Sequence, residues 1–304
     1  MKSKHFIALS DFNKDILQKL VERGIELKQG VPPIRGKDKV LAMIFKKPST
    51  RTNVSFQVAM HKLGGKSIYL GTEMLQLYRG ETIEDTTRTL SRYVDAIVIR
   101  TYSHQEVMDM AKISSVPIIN GLTDLLHPCQ AIGDVMTVTE HKGKDYENIK
   151  VGFIGDGNNV CNSLINAAGL FGFQLTVASP QGYEPNAKIA EDVSKKNPNI
   201  KITDDPFEAV GGSDVVYTDV WVSMGDDEKK KKRRKKFKKF QVNNDLLEKA
   251  KSDVMVMHCL PAHRGEEITS EVLDGEKSFV FEQAENRMHI QEAILEFLFG
   301  AYEK

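Results

Sequence analysis

Cysteine is scarce in this chain: three residues among 304, none in a C-x-x-C pair. That excludes a disulfide framework and a paired-cysteine zinc site, and it fits a reducing compartment. No apolar run reaches the roughly twenty residues of a membrane-spanning helix, so no membrane partner is expected. Net charge is also missing, with 42 Lys and Arg against 42 Asp and Glu, and the field of the whole molecule therefore selects no particular partner. No internal repeat of fixed period is present. The opening segment MKSKHFIALSDFNKDIL has neither the apolar core of a signal peptide nor an arginine-rich transit composition. A cytoplasmic protein is the expectation.

What the chain does have is enough apolar material for a full core, at 40% hydrophobic residues, which excludes intrinsic disorder. Short apolar runs alternate with helix-like segments. VLAMIF, KSIYL, AIVIR and VPIIN come first, separated by stretches such as STRTNVSFQVAMHKLGG and ETIEDTTRTLSRY. A long helical stretch follows from Pro128 to Lys142. The pattern then restarts with KVGFIG, QLTVAS, IKIT, DVVYTD and DVMVMHCLP, and RMHIQEAILEFLFGAY closes the chain as an amphipathic helix. Such alternation predicts parallel sheets covered by helices on both faces. Two series joined by one helix predict an α/β fold of two domains with the active site in the cleft between them. The expected boundaries are 1–132 plus a C-terminal helix 286–304 for one domain, and 133–285 for the other.

In open parallel sheets ligands bind beyond the carboxyl ends of the strands, and the unusual polar residues sit there. K-P-S-T-R-T follows VLAMIF, Arg100 ends AIVIR, and His127 and Gln130 follow PIIN and its loop. Pro48, Ser49 and Thr50 suit a helix start, whose free N–H groups and positive dipole end attract an anion. Arg51 can add a bidentate charged contact. Taken singly, each residue has an ordinary structural alternative: a capped helix, an arginine at a strand end, a satisfied loop histidine. In the second half, G-D-G-N-N-V follows KVGFIG, but Val160 stands where a dinucleotide fingerprint needs its third glycine. Asn158 and Asn159 instead suit an α-carboxylate. Asp219 opens D-V-W-V-S-M-G and can pair with an α-ammonium, and Cys259 ends an apolar strand, where a cysteine is ordinarily just buried.

Together these motifs resemble the aspartate/ornithine carbamoyltransferase family, in the same order and over essentially the whole chain. S-T-R-T, the strand-end arginine and H-P-C-Q look like its carbamoyl-phosphate half. The resemblance implies that Ser49, Thr50, Arg51 and Thr52 hold the phosphate and that Arg100, His127 and Gln130 hold the carbamoyl group. Thr52, Arg100 and His127 would stabilise the developing oxyanion, with His127 as hydrogen-bond donor rather than base. D-x-W-x-S-M-G and H-C-L-P resemble the ornithine branch. They imply that Asn159, Asp219, Ser223 and Met224 bind L-ornithine, that Cys259 and the carbonyl of Leu260 face the reacting amine and carbamoyl group, and that Arg287 completes the carbamoyl site. Arg51, Arg100, His127 and Cys259 are the implied catalytic residues, and neither metal nor cofactor is implied. The resemblance also implies a homotrimer, alone or stacked, in which Gln76 reaches the neighbouring subunit's phosphate. Two residues depart from the family pattern: Asn53 where an arginine is usual, and Tyr78 where a glycine is usual.

Residues 229–239 are Lys and Arg apart from Phe237, after Asp226, Asp227 and Glu228. Such a run fits a nucleic-acid patch or a solvated helix whose N-terminal acids suit the dipole. The solvated helix is preferred, so no nucleic-acid partner is expected. A carbamoyltransferase acting on another amine, such as putrescine, would keep the phosphate motifs but lack D-x-W-x-S-M-G.

Overall fold

The computed structural model describes residues 5–71, 73, 75, 80–221 and 227–300, the side chains of 227–230 excepted. The chain forms two compact units, Met1–Met136 with Glu285–Lys304, and Thr137–Ala284. In the first unit, β1 (Val40–Phe45), β2 (Lys66–Gly71), β3 (Ala96–Arg100) and β4 (Ile118–Leu122) make a parallel sheet in the order β2-β1-β3-β4. The second unit holds β5 (Lys150–Ile154), β6 (Gln174–Ala178), β7 (Ile200–Thr203), β8 (Val215–Thr218) and β9 (Met255–His258), in the parallel order β7-β6-β5-β8-β9. The expected fold class is what the structure shows: two parallel sheets flanked by helices.

Helices connect the strands: α1 (Lys14–Lys28), α2 (Thr50–Lys62), α3 (Ile83–Leu90), α4 (His104–Ile113), α5 (Pro128–Lys142), α6 (Asn159–Phe171), α7 (Ala187–Ser194), α8 (Pro206–Val210), α9 (Asp227–Phe237), α10 (Asn244–Leu247), α11 (Ser270–Leu273) and α12 (Val280–Leu298). Many start on a side-chain cap of the expected type, such as Ser49 before α2, Thr82 before α3 and Asn158 before α6. The sequence pattern did not reveal α4, because only Val107 and Met110 of that helix are buried and its apolar stripe is short. The last helix starts at Val280, seven residues before the RMHIQEAIL pattern, because Val280, Gln283 and Asn286 are all buried within its first turns and mix polar with apolar types. Among the described residues no helix is long and apolar enough to cross a membrane.

Strand order fixes where ligands can bind. The chain leaves β1 toward β2 on one side and later fills β3 and β4 on the other, so the first sheet reverses direction between β1 and β3. The second sheet reverses between β5 and β8. Crevices beyond the carboxyl ends of strands at such switch points are the preferred ligand sites of open α/β sheets. K-P-S-T-R-T and Arg100 occupy the first switch point, and G-D-G-N-N and Asp219 occupy the second. A bulge at Gly121 of β4 shifts the pairing between Ile99 and Arg100, giving the strand-end arginine an irregular neighbour.

Candidate active site

In the first unit the site starts with the helix that follows β1. Ser49 caps α2, its hydroxyl oxygen accepting the Thr52 N–H at 3.2 Å. Thr50 is exposed and Arg51 half-buried, and among the described residues no acid engages Arg51. Thr52 is completely buried. Its hydroxyl oxygen accepts from Arg287 Nη2 at 2.8 Å and lies 3.4 Å from Arg100 Nη1. Three residues from β3, α2 and α12 therefore converge on one oxygen. Arg287 is held there because α12 is tied to α1: buried Arg23 donates to buried Glu296 at 2.8 Å, and Lys28 to Asn286 at 2.8 Å.

His127 lies just before α5, its carbonyl accepting from the N–H groups of Gln130 and Ala131. Its imidazole is 3% exposed. Burial, reinforced by Arg287, Arg100 and Lys47, holds its pKa well below the ordinary histidine value. A fourth cation beside these three is electrostatically disfavoured, so the ring is neutral at physiological pH and can donate one hydrogen bond. Gln130, also buried, donates to Asp134 at 2.8 Å. Cys129 beside it is a core residue, its thiol pushed up to about 12 by burial.

In the second unit, β5 runs into a tight turn. Gly155 takes a φ of 132°, and a Cβ on Gly157 would lie 2.1 Å from the backbone nitrogen of Pro185, so both positions require glycine. Asn158 then caps α6, accepting from Val160 N at 2.9 Å and Cys161 N at 3.2 Å. Its amide donates to Asp219 Oδ2 at 2.7 Å, and the Cys259 thiol donates to Asp219 Oδ1 at 3.1 Å. The ends of β5, β8 and β9 thus meet on one carboxylate that is 5% exposed. Asn159, half-buried, is the first residue of α6, at the positive end of its dipole. Leu260 follows Cys259 with a φ of 56°.

Two parts of the sequence match family patterns. Residues 4–140 match the aspartate/ornithine carbamoyltransferase, carbamoyl-P binding domain, and residues 147–298 match the Asp/Orn binding domain of the same family. The chain belongs to the aspartate/ornithine carbamoyltransferase family. Among its relatives, the ornithine carbamoyltransferase of Archaeoglobus fulgidus is 49% identical over 301 residues, covering 98% of each chain. That of Aquifex aeolicus is 47% identical over 304 residues, covering 97% of this chain and 98% of the relative. The solved ornithine carbamoyltransferase of Pyrococcus furiosus superposes with a TM-score of 0.94 at 48% identity, covering 99% of this chain and 98% of that one. The structure from Giardia lamblia gives 0.88 at 32% identity with full coverage of both chains.

Of the site residues the family resemblance implies, Thr52, Arg100, His127 and Arg287 come together in the first unit, and Asp219 and Cys259 meet in the second. Gln76, Ser223 and Met224 lie outside the described residues, as does Tyr78. Asn53 donates nothing to the buried node; its side-chain oxygen accepts from Gln57 at 2.6 Å on the exposed face of α2. Sequence reasoning missed Lys47, whose charge bears on His127, although its place in the Lys-Lys-Pro that closes β1 was a signal. It also missed Asp156 and Arg233, which pair with each other, because Arg233 sits unmarked within the basic run.

The basic run forms α9 and the turn after it, and Lys231, Lys232, Arg234, Lys235, Lys236, Lys238 and Lys239 are exposed while Phe237 and Phe240 are buried. That is the geometry of a solvated helix on two apolar anchors. Side chains of Asp219, His258 and Cys259 place potential metal-binding atoms within 4.8 Å of one another. The His258 ring is nonetheless committed. Nδ1 accepts the Leu260 N–H at 2.9 Å, which makes Nε2 the protonated nitrogen, 3.2 Å from buried Glu267. Neither nitrogen keeps a lone pair for a metal.

Proposed function

We propose that this family member transfers the carbamoyl group of carbamoyl phosphate to the δ-amine of L-ornithine, giving L-citrulline and phosphate. The observation that carries this reading is the pairing of two unlike clusters on one chain. One gathers Arg100, Arg287 and a neutral His127 around Thr52; the other joins Asn158 and Cys259 on Asp219. The first suits an anion with a carbonyl and the second an amino acid with an ammonium group. The near-full-length relatives named ornithine carbamoyltransferase point to the same pair of substrates.

The chemistry follows from the donors. The α2 N-terminus with Ser49, Thr50, Arg51 and Thr52 holds the phosphate of carbamoyl phosphate. Arg100, His127 and Arg287 donate to the carbonyl oxygen, with Gln130 on the carbamoyl nitrogen. Asp219 and Ser223 take the α-ammonium of ornithine, and Asn159 with the backbone at Met224 takes its α-carboxylate. The δ-ammonium must lose a proton, since only the free amine carries a lone pair. That amine attacks the carbonyl carbon, forming a C–N bond and placing negative charge on oxygen, where fixed cationic donors stabilise it without reorganising. The oxyanion collapses, the C–O bond to phosphate breaks, phosphate leaves with the electron pair, and the nitrogen loses its second proton. Cys259 and the Leu260 carbonyl face the reacting amine. No covalent enzyme intermediate is required, and holding both substrates at attack distance supplies much of the acceleration.

The same proposal includes a homotrimer, alone or in stacks, with Gln76 serving the neighbouring subunit's phosphate. It also includes a cytoplasmic location and a role in arginine biosynthesis, the direction named for the anabolic relative of Pyrococcus furiosus. The test is to incubate the protein with carbamoyl phosphate and, separately, ornithine, putrescine, acetylornithine and aspartate, and to measure ureido product. Product with ornithine alone is expected. Equal or greater product with putrescine would replace ornithine as the acceptor.

A further inference from the structure

Among the described cations of the basic run, Arg233 is the one that is not exposed, and its charge turns inward. Its guanidinium pairs with Asp156 at 2.5 Å and also donates to the Trp221 carbonyl. The same group lies 4.5 Å from the Tyr183 ring centroid and 5.2 Å from that of Phe237, against an aromatic pair whose own centroids are 4.9 Å apart. Tyr183 in turn accepts the Gly157 N–H at 2.8 Å through its carbonyl. One side chain thus grips the turn after β5 and the segment after β8 together.

These two grips flank the hydrogen bond that organises the amino-acid cluster. Asp156 stands two residues before Asn158, and Trp221 stands two residues after Asp219, while Asn158 and Asp219 bond each other at 2.7 Å. Both segments are loop backbone beyond strand ends, with no ladder hydrogen bonds to fix their spacing. An isolated surface pair would contribute little, but Asp156 is largely buried and its carboxyl is pushed up to about 6 by burial despite Arg233. We propose that Arg233 is a positioning residue for the amino-acid site, clamping the Asp156 turn to the Trp221 segment so that Asn158 and Asp219 keep the spacing that recognises the amino-acid head. The inference rests on the ornithine reading for its substrate, though not for the clamp itself.

Trp221 is the chain's single tryptophan, and it is buried 5.7 Å from the Phe237 ring, so its fluorescence reports the clamp directly. The experiment compares wild type with Arg233→Met, Arg233→Lys, Asp156→Asn and the neighbouring Arg234→Met. Two readouts are taken: Trp221 emission with acrylamide quenching, and steady-state kinetics with each substrate varied. Arg233→Met is expected to raise quenching of Trp221 and to raise KM for ornithine about tenfold or more, with KM for carbamoyl phosphate changed less than about twofold. Asp156→Asn should follow in the same direction, Arg233→Lys should recover part of the loss, and Arg234→Met should match wild type. Should Arg233→Met not fold, Arg233→Lys and Asp156→Asn carry the same comparison. Unchanged quenching and unchanged ornithine KM in folded Arg233 variants would overturn the clamp, as would equal loss for both substrates. A wild-type protein that makes no citrulline would refute the ornithine reading, while the quenching comparison would still decide the clamp.

Discussion

Replacing Thr52 with valine removes one hydroxyl and almost nothing else. Valine keeps the β-branched shape, so the completely buried site gains neither cavity nor overpacking. What goes is the oxygen on which two guanidiniums converge. The Arg287 contact at 2.8 Å is a well-formed charge-assisted bond, whereas Arg100 at 3.4 Å is a long one. A hydrogen bond to a charged group is worth about 1.5–3 kcal/mol, so the Arg287 contact dominates and the sum is about 2–3 kcal/mol. If the hydroxyl sets the guanidinium positions for the transition state, kcat/KM for carbamoyl phosphate falls about 30- to 150-fold. Thr52→Ser keeps the oxygen, loses a methyl group, and should retain most of the activity. The assay is initial-rate citrulline formation with carbamoyl phosphate varied at saturating ornithine, with a thermal melt of each variant to establish folding. A valine variant within about threefold of wild type, alongside a serine variant that falls further, would refute the reasoning by showing that the methyl group matters and the oxygen does not.

Cys259→Ser leaves a donor to Asp219 but exchanges a large polarisable sulfur for a smaller, more strongly hydrated oxygen, so it should mainly weaken ornithine use. Substrate-saturation curves check this, and a change confined to carbamoyl-phosphate affinity would remove Cys259 from the amine side. Asp156 makes a stability prediction with a definite sign. Its carboxyl titrates near 6 in the folded chain against an ordinary 3.8. Between those values the folded state binds more protons than the unfolded one, so this group's contribution falls as pH rises from about 4 through about 6. The shift corresponds to about 3 kcal/mol. Urea melts should show Asp156→Asn gaining on wild type as pH rises across that window, and a flat or opposite difference would refute the assignment.

Much of the fold was legible because its signals are local. Apolar runs of four to six residues such as VLAMIF, KVGFI and VVYT, separated by capped helices, announce buried parallel strands whatever their partners. The long helix over Pro128–Lys142 agrees with the sequence reading at both ends. Helix α4 was hidden by its short apolar stripe, and the start of α12 was hidden because Gln283 and Asn286 are buried polar residues, which break the pattern that marks a core face. The candidate site was legible as a set of strand-end oddities, and Thr52, Arg100, Asp219 and Cys259 all stood out that way. Lys47 and Arg233 did not, since a lysine beside another lysine and an arginine among ten cations look like solvated surface.

By itself, then, the sequence determined the class of sheet, the order of its strands along the chain and the chemical types offered at their carboxyl ends. These follow from periodicity and residue type over a few positions. The tertiary structure alone decided which of them meet. Arg100 stands 48 positions from Thr52 and Arg287 stands 235 away, yet both reach the same oxygen, because the order β2-β1-β3-β4 and the packing of α12 on α1 bring them there. It also decided protonation. His127 reads in the sequence as an ordinary histidine, and only burial among Arg287, Arg100 and Lys47 makes it a neutral donor. Arg233 is the converse case, one cation among many until the fold sets it against the Tyr183 and Phe237 rings and against Asp156.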